Sequence, residues 1–323
     1  MVDCWIVTDG KPGMESQCLG LAEALGVTPI IKRVALRWPW MMVSPYIRVP
    51  PNFSYGHSAS LQSPWPDLLI ATGRKSVQAS LFVRRQSRRS GQPTVTVQIQ
   101  NPVISPDHFD LVITPAHDRL QGRNVLTTLG ALHRVTPQKL KQAVPEFLRR
   151  IGPLPRPYIS VLLGGANSAF RFSEREMWDL AKGLVSVLRE THGSVLVTPS
   201  RRTGEAQLAI LKRSLAGLPA FIWDGSGDNP YFGMLAVADW IVVSSDSVNM
   251  VSEAVASGKP VQVFLLPGGS AKFALFHGTL RARGLTSVFP GPLPAPVPGI
   301  EADMQRAVQR VREVYHSVRG VSL

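Results

Sequence analysis

Apolar runs and helical stretches alternate along the whole chain. In the amino half, short runs rich in β-branched residues read as buried strands at 4–7, 30–36, 68–71, 94–99 and 111–113. Apolar residues at helical spacing predict helices at 14–25, 76–89 and 138–151. The carboxy half repeats the scheme. Strands are expected at 159–163, 194–198, 221–223, 240–243 and 261–266. Helices are expected at 174–190, 204–215, 230–237, 248–257, 271–283 and 301–318. Such alternation predicts two doubly wound parallel-sheet α/β domains. The stretch Gly152-Pro-Leu-Pro-Arg-Pro157 reads as a short stiff linker dividing domain 1–152 from domain 153–300. A second proline-rich stretch, 290–298, precedes the last helix, which occupies 301–323 as a separate segment.

The block from Asp239 to Phe264 carries the sharpest chemical pattern. A buried strand ends at Ser244-Ser245-Asp246-Ser247, and any of these residues can cap the helix that follows. Gly258 stops that helix, and Pro260 precedes the next strand. A hydroxyl-rich loop therefore feeds a helix N-terminus at the carboxyl end of a parallel strand. Ligands bind at that end of open sheets, and helix N-termini favour anions. Glu253, one and a half turns further on, can hydrogen-bond a pair of sugar hydroxyls. The same pattern also describes a plain βαβ unit in which Ser and Asp are caps and Glu253 faces solvent.

Length and charge narrow the field. The 323 residues suit two domains of ordinary size, and no run of ~20 apolar residues exists to span a bilayer. The opening MVDCWIVTDG lacks a basic n-region and enters a strand at once, so no signal peptide is expected. Cys4 and Cys18 form no framework, and the seven histidines lack ligand spacing, so neither a disulfide scaffold nor a metal site is expected. The net charge is +13; residues 1–152 carry 18 Lys and Arg against 9 Asp and Glu, or +9. A surplus of this kind points to nucleic acid, an anionic membrane or phosphorylated ligands. The chain has no RNA-recognition aromatic pattern, zinc finger or heptad array, and Arg84, Arg85, Arg88 and Arg89 read as a solvated helix face, which argues against nucleic acid.

Further loops border the expected ligand. Thr8-Asp9-Gly10-Lys11-Pro12-Gly13 follows the first strand and is not GxGxxG, so a Rossmann dinucleotide site has little support. Gly164 and Gly165 follow the first strand of the second half, where paired glycines let backbone N–H groups approach a phosphate. Ser200, Arg201 and Arg202 follow the next strand, and either arginine can make charge-assisted bonds to a diphosphate worth ~1.5–3 kcal/mol each. Asn229 sits in a turn-rich loop, and Lys272 opens the helix that carries His277. For a base, His117 beside Asp118 competes with Asp9; His133 reads as structural. The segment from Trp38 to Arg48 mixes Trp, Met and Tyr with basic residues and suits a membrane interface if exposed, a packed loop if not.

Two resemblances refine these readings. Glu253, Gly258 and Pro260 resemble the donor-binding helix of GT-B glycosyltransferases, in which a Glu a few residues before Gly-x-Pro commonly holds the nucleotide ribose. More broadly, TDGKPG, the segment 98–102, PAHD, GALHRV, LLGG, TPSRRT, the run GSGDNPYFGMLAVADWIVVSSDSVNMVSEA and GGSAKF resemble one family. It comprises bacterial proteins related to the plant mitochondrial-fission factor known for elongated mitochondria, and the resemblance covers nearly the whole chain. It implies a GT-B-like fold: two Rossmann-like domains with a cleft between them, the last helix crossing back to the first domain. It implies a nucleotide-sugar donor held by Gly164, Gly165, Ser200, Arg201, Arg202, Asn229, Ser245, Asp246, Ser247, Glu253 and Lys272. The expected function is sugar transfer to a hydroxyl acceptor of lipid-linked or glycolipid type, with catalysis by Asp9, His117 or Asp118 and no cofactor. The alternatives are a nucleotide-sugar epimerase and a non-catalytic adaptor, the latter because the plant member recruits a dynamin-related protein to mitochondria. The expected location is the cytoplasm, peripheral at the inner face of an anionic membrane.

Overall fold

The computed structural model describes residues 2–44, 46, 55, 60–295 and 301–323. Arg48 and the prolines at 296 and 298 lie outside the described residues. The chain forms two compact units, Met1–Arg134 with Glu301–Leu323, and Val135–Ile300. The first contains β1 (Cys4–Thr8), α1 (Pro12–Leu25), β2 (Pro29–Arg33), the single turn α2 (Trp40–Val43), β3 (Leu68–Thr72), α3 (Val77–Arg89), β4 (Val95–Ile99), β5 (Leu111–Pro115) and β6 (Val125–Thr128). The second contains α4 (Pro137–Ile151), β7 (Tyr158–Leu163), α5 (Glu174–Thr191), β8 (Ser194–Pro199), α6 (Glu205–Ser214), β9 (Ala220–Ile222), α7 (Tyr231–Val237), β10 (Trp240–Ser244), α8 (Val248–Ala256), β11 (Val261–Phe264), α9 (Ala271–Ala282) and β12 (Ser287–Phe289). The last helix, α10 (Glu301–Arg319), packs in the first unit.

Each unit is built on a six-stranded, wholly parallel sheet. The orders are β2-β1-β3-β4-β5-β6 and β12-β11-β10-β7-β8-β9. Both faces of each sheet are covered, which is why the strands read as continuous apolar runs rather than alternating ones. In the first sheet, Ile6, Leu68, Ile70, Val97 and Leu111 face Leu21 of α1 and Ala307, Val311 and Tyr315 of α10. Their neighbours Trp5, Val7, Leu69 and Ala71 point the other way, toward Ala79 and Val83 of α3, as the two-residue period of a strand requires. In the second sheet, Ile159, Val161 and Leu163 pack under Leu180 and Leu184 of α5 and Ile210 of α6, while Tyr158 and Leu196 meet Phe147, Met234 and Val237 on the opposite face.

Packing assigns α4 to the second unit, ahead of the linker at 152–157 where the sequence reading divided the domains. Phe147 is buried against Phe221, with ring centroids 5.7 Å apart. Burying such a ring contributes about 1.5–3 kcal/mol, more than a proline-rich segment can offset by being stiff. The fit is close: a Cβ on Gly233 of α7 would lie 2.4 Å from the Cβ of Phe147. The linker itself is tied down, Arg156 pairing with Asp239 at 2.6 Å while Asp239 also accepts from the Tyr158 N–H at 2.6 Å.

The helix α10 is fixed to the first unit by its Ala307, Val311, Tyr315 stripe and by polar contacts near both ends. The Asp303 carboxylate accepts from the Leu129 N–H at 2.5 Å, and Arg306 donates to the Thr127 carbonyl at 2.9 Å. Arg319 pairs with Asp67. Two strands were not foreseen, β6 and β12. Both are edge strands of three or four residues with half-exposed side chains. Cys4 and Cys18 are free, and burial pushes the Cys4 thiol up to about 12 and the Cys18 thiol well above its ordinary value. Among the described residues no helix is long and apolar enough to cross a membrane.

Candidate functional site in the second unit

The strand order of the second sheet reverses between β7 and β10, the two strands that begin its two halves. The carboxyl ends of strands at such a switch point are the usual ligand position in open parallel sheets. Asp246 lies in the loop that leaves β10 at this point. Its side chain is 0% exposed and sits 2.6 Å from Arg202 Nη1. Its carboxylate also accepts from the Ser244 hydroxyl at 2.7 Å and the Gly165 N–H at 3.1 Å. Arg202 donates in turn to the Gly165 carbonyl at 2.9 Å, and Ser200 Oγ to the Gly164 carbonyl at 2.6 Å.

This network explains the glycine pair. A Cβ on Gly164 would stand 2.2 Å from the Asp246 carboxylate oxygens, and one on Gly165 would stand 2.0 Å from the Arg202 carbonyl. The close approach read from the sequence is real, but the group approached is protein. The Gly164 N–H is taken by Ser244 Oγ at 2.8 Å and the Gly165 N–H by Asp246. These two amides, Arg202 and Asp246 thus brace the loops.

Other expected residues divide between bracing and open positions. Ser245 is buried, its hydroxyl accepting from the Leu266 N–H at 2.9 Å. Its carbonyl lies 2.8 Å from His277 Nε2, so that nitrogen carries the proton, a carbonyl being only an acceptor. Burial, and secondly the Arg281 charge, lower the His277 pKa against the opposing pull of the Ser245 carbonyl and Asp246. Ser247 caps α8, accepting from the Met250 N–H at 3.3 Å. The first turn of α8 behind that cap is half-buried. Arg201 is exposed on the β8 loop, and Lys272 is exposed in the first turn of α9.

Glu253 lies about one and a half turns into α8, partly buried, and does not simply face solvent. Its Oε2 accepts from the Tyr231 hydroxyl at 2.7 Å. Burial, then the Glu253 charge and this bond, push the Tyr231 phenol well above its ordinary pKa. Asn229 accepts from the Tyr231 N–H at 3.1 Å and so sets the start of α7. The loop before it is anchored by Arg150, which donates to the carbonyls of Asp228 (2.7 Å) and Ser226 (3.2 Å). Sequence reasoning missed Tyr231 and His277 as partners of Glu253 and Ser245, because no local spacing marks contacts across 22 and 32 residues.

The candidate bases are in the first unit. Asp9 follows β1 with its side chain only 7% exposed, 3.6 Å from Lys75 and 3.7 Å from Lys11. Lys75 comes from the turn after β3, the strand beside β1, and was not singled out by sequence. His117 and Asp118 form a single turn after β5, where Asp118 accepts from the Thr114 hydroxyl at 2.8 Å. β5 stands three places from β1, which is ~14 Å at ordinary strand spacing, so Asp9 and His117 are not one catalytic group. Among the described residues no three His, Cys, Asp or Glu side chains group to hold a metal ion.

Comparison with known proteins agrees with this architecture. The profile of the family described as "Mitochondrial fission ELM1" matches residues 12–315. The chain is 28% identical over 362 residues to the mitochondrial fission protein ELM1 of Arabidopsis thaliana, a match covering 88% of this chain and 84% of that protein. Its fold is similar to that of UDP-N-acetylglucosamine 2-epimerase from Rickettsia bellii (TM-score 0.55, 13% identity, 99% and 97% of the two chains covered). It is also similar to that of Acinetobacter baumannii MurG (TM-score 0.50, 13% identity, 100% and 96% covered). The chain therefore has the GT-B-like α/β fold of these proteins.

Two outcomes follow from these loop contacts. Arg202→Ala leaves Asp246 buried without its cation; because Arg202 is itself 39% exposed, water recovers part of the loss, and the expected cost is about 2–3 kcal/mol in urea unfolding. Arg201→Ala, on the exposed neighbour, is expected within about 0.5 kcal/mol; equal small losses would contradict the brace. For His277, the folded pKa lies below the unfolded value of ~6.5, so the unfolded chain binds more protons as pH falls past that point. The stability this group contributes is present above pH ~6.5 and lost as pH falls through the folded pKa. Melting temperatures measured against pH should fall less steeply on the acid side in His277→Gln than in the native protein.

Proposed function

We propose that this chain, which belongs to the Mitochondrial fission ELM1 family, holds a nucleotide sugar in its second unit and transfers the sugar to a hydroxyl acceptor. The observation that carries the reading is Glu253, a carboxylate held in place by Tyr231 on the helix that leaves the switch point of a doubly wound sheet. Phosphates at the N-terminus of α8 would meet the positive end of the helix dipole and the exposed Arg201, with Lys272 on the neighbouring α9 as a further cation. The ribose would then reach Glu253. Gly164, Gly165, Ser200, Arg202, Ser245 and Asp246 shape this floor rather than touch the phosphates, and Asn229 sets the loop beside it. The fold shared with UDP-sugar epimerases supports the ligand class.

In transfer, the acceptor oxygen bonds to the anomeric carbon while the bond from that carbon to the diphosphate oxygen breaks. The nucleoside diphosphate leaves with the electron pair, and the acceptor proton passes to a base. Asp9 is the base we favour, with His117 as the alternative. Calorimetric titration with UDP-, GDP-, ADP- and CMP-sugars is expected to find one that binds, with Glu253→Ala weakening it about 10–100-fold. No binding by any of them sinks the proposal. The fold likeness also favours a second reading, epimerisation. A bound sugar that takes up deuterium from solvent without an acceptor would establish that reaction instead. The ELM1 relative favours a third, an adaptor without chemistry, which would survive Glu253→Ala unchanged in cells.

The acceptor we favour is lipid-linked, reached from an anionic membrane surface. Trp38, Met42 and Tyr46 are 78%, 71% and 66% exposed on the first unit. Nearby cations are partly committed: Arg33 pairs with Glu15 at 2.9 Å, and Lys32 donates to the Ser60 carbonyl at 2.8 Å. The apolar side chains would therefore carry more of the attachment than the charges, each of which contributes ~1 kcal/mol at an anionic leaflet. In co-sedimentation with anionic vesicles, Trp38→Ala/Met42→Ala is expected to lose binding and Arg33→Glu to lose little. No sedimentation of the native protein at low salt would end the membrane proposal.

A further inference from the structure

Tyr231 is the first residue of α7 and Glu253 belongs to α8, so their contact joins two helices on either side of β10. The polarity of the bond is fixed. A phenol at neutral pH donates and a carboxylate only accepts, so Tyr231 Oη gives its proton to Glu253 Oε2 at 2.7 Å. The phenol has little freedom to do otherwise. Its backbone N–H is held by Asn229 at 3.1 Å, and its ring meets Phe232 edge-on at 6.0 Å between centroids. The loop leading to it is anchored through Trp223 Nε1, which donates to the Ser226 carbonyl at 2.8 Å, and through Arg150 on the carbonyls of Ser226 and Asp228.

We infer that Tyr231 is a positioning residue that fixes the Glu253 carboxylate for a vicinal diol, the 2′- and 3′-hydroxyls of a ribonucleotide. The inference rests on the nucleotide-sugar reading of this site. A carboxylate has two oxygens and about four lone-pair positions, so accepting from a phenol at Oε2 is compatible with accepting from ligand hydroxyls as well, while the bond restricts its rotation. A free Glu side chain must be immobilised when ligand binds, and an already immobilised one need not be. The Tyr231 bond therefore raises affinity only for ligands that donate to Glu253. A bond that served folding alone would stabilise the protein equally for all ligands.

The test compares UDP, GDP, ADP and CDP with their 2′,3′-dideoxy counterparts by calorimetry, on the full chain. The native protein is expected to prefer the ribonucleotide, and Glu253→Ala to abolish the preference. Tyr231→Phe is expected to reduce the preference roughly three- to tenfold while leaving affinity for the dideoxy form unchanged. In the Glu253→Ala background, Tyr231→Phe should change nothing further. The inference is overturned, with the donor reading intact, if Tyr231→Phe keeps the full preference, or lowers affinity for both nucleotide forms alike. If Tyr231→Phe destabilises the fold, Glu253→Gln, which still accepts from the phenol, must keep part of the preference that Glu253→Ala loses. Absence of nucleotide binding by the native protein removes both readings together.

Discussion

The pair of Asp246 and Arg202 is the interaction on which the loops at the carboxyl ends of β7, β8 and β10 depend. It fastens the loop after β10 to the loops after β7 and β8, at the point where the strand order reverses. A carboxylate with no exposure is costly to bury, and its partners here offset that cost: one guanidinium, one hydroxyl and one backbone amide. The arrangement leaves room for no side chain at 164 or 165, so a conformational constraint on two glycines and an electrostatic constraint on one aspartate are the same constraint. It also determines where a ligand can bind. Amides already bonded to Asp246 and Ser244 are not available to a phosphate.

Much of the fold was legible in the sequence because both faces of each sheet are buried. Strands such as Leu68–Thr72 and Trp240–Ser244 are apolar at nearly every position, and no helix period competes with that signal. β6 and β12 carry no such signal. With one neighbour each and few residues, Val125–Thr128 and Ser287–Phe289 are strands because an adjacent backbone offers hydrogen bonds, not because of their own composition. The compact units divide ahead of the proline-rich segment for a related reason. Proline marks a stiff segment, but Phe147 and Gly233, 86 positions apart, decide which unit owns α4.

The positions of the candidate residues were legible, but not their contacts. Gly164, Gly165, Ser247 and Glu253 stand out by residue type at strand and helix ends. What each touches depends on contacts between loops some 80 residues apart, as with Gly165 and Asp246. The same limit applies to Asp9, whose lysine neighbour at 75 is supplied by a loop 66 positions away. Residue types at element ends follow local rules, and partners across a sheet follow topology.

A protein that needed only a rigid surface for a partner would gain nothing from a half-buried Glu253. Its desolvation is unfavourable, and a hydrophobic residue of similar volume at that point of α8 would pack without needing Tyr231. The polar floor at Asp246 has a structural use, since it closes the switch point. Glu253 has a different setting: it accepts from the Tyr231 hydroxyl across two helices, while α8 is held by Val251, Ala254 and Val255 on its buried side. Carboxylates kept at such cost in open α/β sheets belong to the part of the molecule where ligands arrive. That asymmetry between the two acidic residues, one bracing and one oriented, is the physical ground on which the proposed function chooses α8.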